Sequence, residues 1–139
     1  MDADTLHTLV SSAIWRAEQL EDRGIPSAVA WAEVSQLEEQ LANVFPLSEP
    51  EGKIARRGAV RAALKAGEFS RAHSLAHRFS AEEGAPRSLK TAVKQILAES
   101  AEALSTRYPY AAKRYDLIET RELAARLREG GPFGLARVA

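Results

Sequence analysis

Residues 53–79, KIARRGAVRAALKAGEFSRAHSLAHRF, hold the feature that most restricts how this chain can fold: a stretch rich in alanine that is hinged at Gly67. At about 100° per residue, Ala55, Gly58, Ala59, Ala62, Ala63 and Ala66 fall on one side of a helix. Side chains this small let a neighbouring helix come close and make many short contacts. Val60 and Leu64 sit on another flank, so a second neighbour is needed to cover them. The spacing therefore predicts an inner helix touched on two sides. Gly67 ends it, and Phe69, Ala72, Leu75, Ala76 and Phe79 form the apolar stripe of a second helix that Gly84 and Pro86 stop. Ser48 followed by Glu51 reads as a capping box for the first of the pair, with Pro50 tolerated in its first turn.

The remaining segments carry the same period. Leu6, Leu9, Val10, Ala13, Ile14, Ala17 and Leu20 predict a first helix from about Asp4 to Asp22, capped by Asp2 or Asp4. Gly24 breaks the chain, and Pro26 opens a second helix with Ala30, Val34, Leu37, Leu41 and Val44 inward and Trp31 flanking them. Phe45 and Pro46 end it. Ser88 caps a fifth helix with Leu89, Val93, Ile96, Leu97, Ala101 and Leu104 on one face. In the last segment Tyr115, Ile118 and Ala125 point away from Leu117, Leu123, Ala124 and Leu127, which predicts either a helix enclosed on two sides or one interrupted near Asp116. No strand pattern occurs and every connection is short. The expectation is an all-α fold of five or six antiparallel helices stacked as hairpins. It comprises one helical domain over 1–129 and a short tail over 130–139.

With 139 residues and no cysteine, the chain can bury a sizeable core without disulfides, which suits a reducing compartment. Asp2 and Asp4 replace the basic residues of a secretory signal, and no uncharged run approaches membrane length. The reading is a soluble, cytoplasmic protein without membrane contact. Charge sums to zero but is segregated. Residues 1–51 hold two basic and ten acidic side chains (−8), residues 52–94 ten and three (+7), and residues 95–139 seven and six (+1). Such segregation marks either an interaction surface or an acidic helix pair neutralising a basic one.

Gly67-Glu68-Phe69-Ser70-Arg71-Ala72 resembles the turn and second-helix start of a tetratricopeptide repeat, where glycine, an acidic residue, an aromatic and alanine recur at these offsets. The positions for the repeat's early large residue, leucine and small residue hold Arg56, Ala59 and Val60, and its closing proline falls at Pro86, about two residues late. The likeness covers about residues 53–86 and implies a stack of helical hairpins that binds peptides or protein surfaces.

Three functional readings follow. The first is a non-enzymatic adaptor or regulatory domain, with a homo-oligomer as one option. Trp15 lies opposite the first helix's apolar stripe, among Thr8, Ser11, Glu18, Gln19 and Asp22, and tryptophan dominates protein interfaces when left on a polar face. The alternative is that the C-terminal helix or the Phe133 tail covers it. The second reading uses the basic stripe of Lys53, Arg57, Arg61 and Lys65, with Arg56, Arg71, Arg78, Arg87, Lys90 and Lys94 nearby, for nucleic-acid phosphates. Its rival is docking of that stripe on the acidic helices. The third is metal binding by His73 and His77, one turn apart, which needs a third ligand from Glu82, Glu83 or His7. No cofactor motif occurs. Glu38-Glu39 and Glu82-Glu83 diverge around their helices, Ser74 is not aimed at His73, and Gly130-Gly131 follows no strand, so the sequence offers no catalytic constellation. The partner-binding residues expected are Trp15, Arg57, Arg61, Lys65 and Phe133.

Overall fold

The computed structural model describes residues 1–107, which form five helices: α1 (Ala3–Asp22), α2 (Ala28–Val44), α3 (Pro50–Lys65), α4 (Phe69–Ala81) and α5 (Arg87–Arg107). They pack in sequence as hairpins, and no strand occurs among the described residues. Met1–Ile96 is one compact unit; Leu97–Ala139 is a second, described here only through the end of α5. The expected final helix, its break near Asp116, the 130–139 tail and Phe133 lie outside the described residues.

The alanine flank does what its lack of bulk predicts. α3 lies between α2 and α4, and Ala55, Ala59, Ala62 and Ala63 are buried to within a few per cent. Val60, on the other flank, is equally covered. α1 lies against α2, where Ala13 and Ala17 meet Ala30, Trp31, Val34 and Ala62 in one apolar cluster. α4 closes the other side with Ala72, Leu75, Ala76 and Phe79, and α5 buries Leu89, Val93 and Ile96.

Two turns show how the backbone is redirected. Gly67 has φ +77°, and after it Glu68 N–H donates to Ala63 O at 2.9 Å, closing the left-handed cap that only glycine adopts cheaply. Gly52 is needed for another reason. It is pressed against the end of α2, and a Cβ there would meet Phe45 O at 2.9 Å, inside contact distance of backbone that cannot yield.

Several boundaries differ from the sequence reading. α3 is capped at Glu49 rather than Ser48, and no side chain bonds there. The cause is a turn in which Glu49 N–H donates to Pro46 O at 3.1 Å, which delays the helix by one residue. α5 begins before Ser88, because Pro86 O accepts from Leu89 and Lys90 N–H and so starts the hydrogen-bond ladder itself. α2 begins at Ala28 after Ser27, not at Pro26. Leu9 and Val44, placed inside by periodicity, are exposed; the stripe that α2 covers on α1 is narrower than the sequence pattern, and Val44 is in the last turn of α2. The first cap holds as read: Asp2 Oδ1 accepts from Thr5 N–H at 2.7 Å, which keeps its carboxyl below the usual range.

Candidate functional site

Trp15 sits on α1 facing away from α2, with 65% of its surface exposed. The helix explains the placement: Leu6, Val10, Ala13 and Ala17 turn inward, which leaves position 15 outward. Glu18 and Asp22, on the same side at i+3 and i+7, are exposed and make no ion pair among the described residues. Arg16, beside the tryptophan in sequence, is held by Glu33 of α2 at 2.8 Å.

The basic stripe is drawn in unevenly. Lys65 Nζ lies 3.6 Å from Glu21 of α1 and 4.5 Å from the ring centre of Trp31. Arg71 and Arg78 of α4 both reach Glu39 of α2, at 2.7 and 2.6 Å. Arg56, almost fully buried, donates to Phe45 O and Gly52 O and pairs with Glu82 at 3.0 Å. Its guanidinium also lies 5.7 Å from the Phe79 ring centre. The first three contacts join the acidic N-terminal third to the basic middle of the chain, so a share of the charge segregation is spent inside the fold. Lys53, Arg57 and Arg61 make no ion pair among the described residues; Arg61 is exposed and the other two are half-buried. The structure thus separates the expected site residues. Trp15 is on the outer face of α1, Arg57 and Arg61 are on α3, and Lys65 is engaged by Trp31 and Glu21.

Two neighbouring carboxylates on α2, one buried and one half-buried, add to the residues expected from the sequence. Glu38 is buried in the α2–α3 seam, with its carboxyl resting on Gly58: a Cβ at Gly58 would come within 2.8 Å of Glu38 Cδ. Among the described residues Glu38 has no hydrogen bond or ion pair, and burial pushes its pKa up to about 7. Glu39, the next residue, behaves oppositely. Desolvation pulls its pKa upward, but hydrogen bonds and charge from Arg78 and Arg71 outweigh this and leave it below the ordinary range. Ser35, fully buried, donates to Ala59 O at 2.8 Å and accepts from Arg71 Nε at 3.3 Å. The signal for Glu38 was present in the sequence. It stands at i+4 from Val34 and i−3 from Leu41, inside the apolar stripe, opposite the one glycine in the alanine flank.

A cavity of about 630 Å³ opens where the α2–α3 loop meets the α4–α5 turn, lined by Leu47, Lys53, Arg56, Glu82, Glu83 and Pro86 among others. Arg56 and Glu82 are spent on each other there, which leaves Lys53 and Glu83 as its charges without an ion pair among the described residues. His73 is half-buried and His77 exposed on α4. Among the described residues no group of three or more His, Cys, Asp or Glu is placed to hold a metal ion. No helix among them is long and apolar enough to cross a membrane.

Comparisons with protein-family models, with curated proteins and with solved structures found no match to this chain. The fold itself defines the class: among the described residues, an all-α stack of sequential helical hairpins.

Proposed function

We propose that this chain is a non-enzymatic adaptor or regulatory domain that binds a partner protein through the outer face of α1. The observation that carries the reading is the exposure of Trp15. An indole turned to solvent on a helix with an ample apolar stripe of its own contributes nothing to the core, and tryptophan is the residue type most enriched among interface anchors. The hairpin stack supports it as well. The Gly67 turn and the α4 start that resemble a tetratricopeptide repeat build the kind of scaffold that presents helix faces to peptides or protein surfaces.

Arg57 and Arg61 support the competing nucleic-acid reading, since they remain unpaired among the described residues. It is the weaker of the two, because Lys65, Arg56, Arg71 and Arg78 are taken by carboxylates of the same chain. Pull-down from the source cells with the full chain separates them. A partner protein lost with Trp15→Ala and kept with the Arg57→Ala, Arg61→Ala pair is the expected result. Retention of every partner by Trp15→Ala, together with salt-sensitive binding to DNA or RNA that the arginine pair abolishes, would overturn it.

A further inference from the structure

We propose that the Trp15 face of α1 is a receptor for a cationic side chain, lysine or arginine, carried on a segment of the partner protein. This deepens the interface reading and rests on it.

The molecule contains a closed version of such a site. Trp31 Nε1–H donates to Glu21 Oε2 at 2.7 Å, and Lys65 Nζ stands over the indole at 4.5 Å while lying 3.6 Å from Glu21 Oε1. Indole, carboxylate and ammonium close a triangle, with the cation attracted by the ring face and by the negative charge together. Within α1 the same components recur on the opposite side without the cation. Taking Trp15 as the origin, Glu18 falls about 60° and Asp22 about 20° to one side at 100° per residue, so both carboxylates share the indole's face. Both are exposed and unpaired among the described residues. The nearest cation on the helix, Arg16, is turned away and engaged by Glu33.

Charge selects the occupant. Residues 1–22 hold five acidic side chains and one basic, a balance of −4. Phosphate backbones and anionic lipid surfaces are repelled by such a face. A purely apolar partner would leave Glu18 and Asp22 facing it without counter-charges, at a desolvation cost. A lysine or arginine satisfies the ring and the carboxylates at once.

The test uses the full chain labelled with ¹⁵N and two helical peptides of alanine background, identical except that one carries lysines four residues apart and the other glutamines. The two indole N–H resonances separate the sites, since Trp31 is an internal reference. The lysine peptide is expected to move the Trp15 resonance and leave that of Trp31 in place. Its affinity should exceed that of the glutamine peptide by about tenfold or more. It should fall by a similar factor in Glu18→Gln, Asp22→Asn and as salt is raised. Equal binding of the two peptides, with loss of both in Trp15→Ala, overturns the cation assignment and leaves Trp15 as an interface residue. Binding unchanged by Trp15→Ala overturns both readings. No shift with either peptide overturns the proposal, as does a Trp15 indole already shielded from acrylamide in the isolated chain, whether by residues 108–139 or by a second copy.

Discussion

Glu38 and Glu39 are consecutive on α2 yet lie in regions that treat a carboxylate in opposite ways. The α2–α3 seam gives Glu38 a glycine to rest on and no counter-charge, so its ionised form is penalised and its pKa rises to about 7. The edge facing α4 gives Glu39 two arginines, which outweigh the desolvation it also suffers. One step of 100° along a helix separates the two outcomes. Glu38 is the deeper of the two and has no cation beside it, so depth and neighbouring charge together decide which acid stays ionised.

The largest test of this contrast is Glu38→Gln. Because the folded-state pKa is raised from 4.5 to about 7, the unfolded chain loses its proton first, and stability falls as pH rises through that window. The variant escapes the penalty. It should be more stable than the parent at pH 8 by on the order of 2 kcal/mol, and about equal at pH 4.5, by urea unfolding at each pH. A difference independent of pH would break the comparison.

Glu39→Gln should act with the opposite sign. A depressed pKa contributes stability above the unfolded value near 4.5 that is lost as pH falls through the folded one. Removing the charge should cost roughly 1 kcal/mol at pH 7, and the cost should fade in acid. Unfolding midpoints at pH 7 and pH 3 supply the check.

Gly58→Ala sharpens the same point at smaller scale. The added Cβ would occupy the carboxyl's resting place and push Glu38 toward water. The Glu38 pKa should then drop from about 7 toward 4.5, as read by carboxyl ¹³C titration. Net stability should shift by less than about 1 kcal/mol, since better helix propensity offsets the lost contact. Smallest of all is Trp15→Ala, expected within about 0.5 kcal/mol of the parent on unfolding, because an exposed side chain off the core makes little difference to folding. A larger loss would mean that Trp15 is covered in solution.

How much of this was legible in the sequence follows from which features are periodic. The alanine flank of α3, the α4 stripe and the outward Trp15 are consequences of 3.6-residue spacing, while the Gly67 turn follows from glycine's ease at positive φ, and each stands where the sequence puts it. Helix starts were less legible. Ser48 and Ser88 have capping side chains, but bonds to the carbonyls of Pro46 and Pro86 move the start of α3 one residue later and that of α5 two residues earlier. Leu9 and Val44 have the right spacing, but spacing does not reveal how wide a stripe the neighbour covers. The pairings of the basic stripe were open for a related reason: charge balance shows that acid and base can meet, while only tertiary geometry assigns Arg71 and Arg78 to Glu39 and leaves Arg57 and Arg61 alone. Glu38's place in the apolar stripe was legible, but the residue it faces was not, because only tertiary geometry sets Gly58 across the seam from it.

Arg56 ties the end of α2, the start of α3 and the end of α4 through Phe45 O, Gly52 O and Glu82. Stacked hairpins that touch only their immediate neighbours tend to fray from one end. A clasp on the middle helix that grips both of its neighbours at once opposes that route, because freeing α4 strands a guanidinium in a dry place. Amide protons near the ends of α2 and α4 should therefore exchange with one shared opening rate, so that this part of the molecule melts as a block instead of peeling apart.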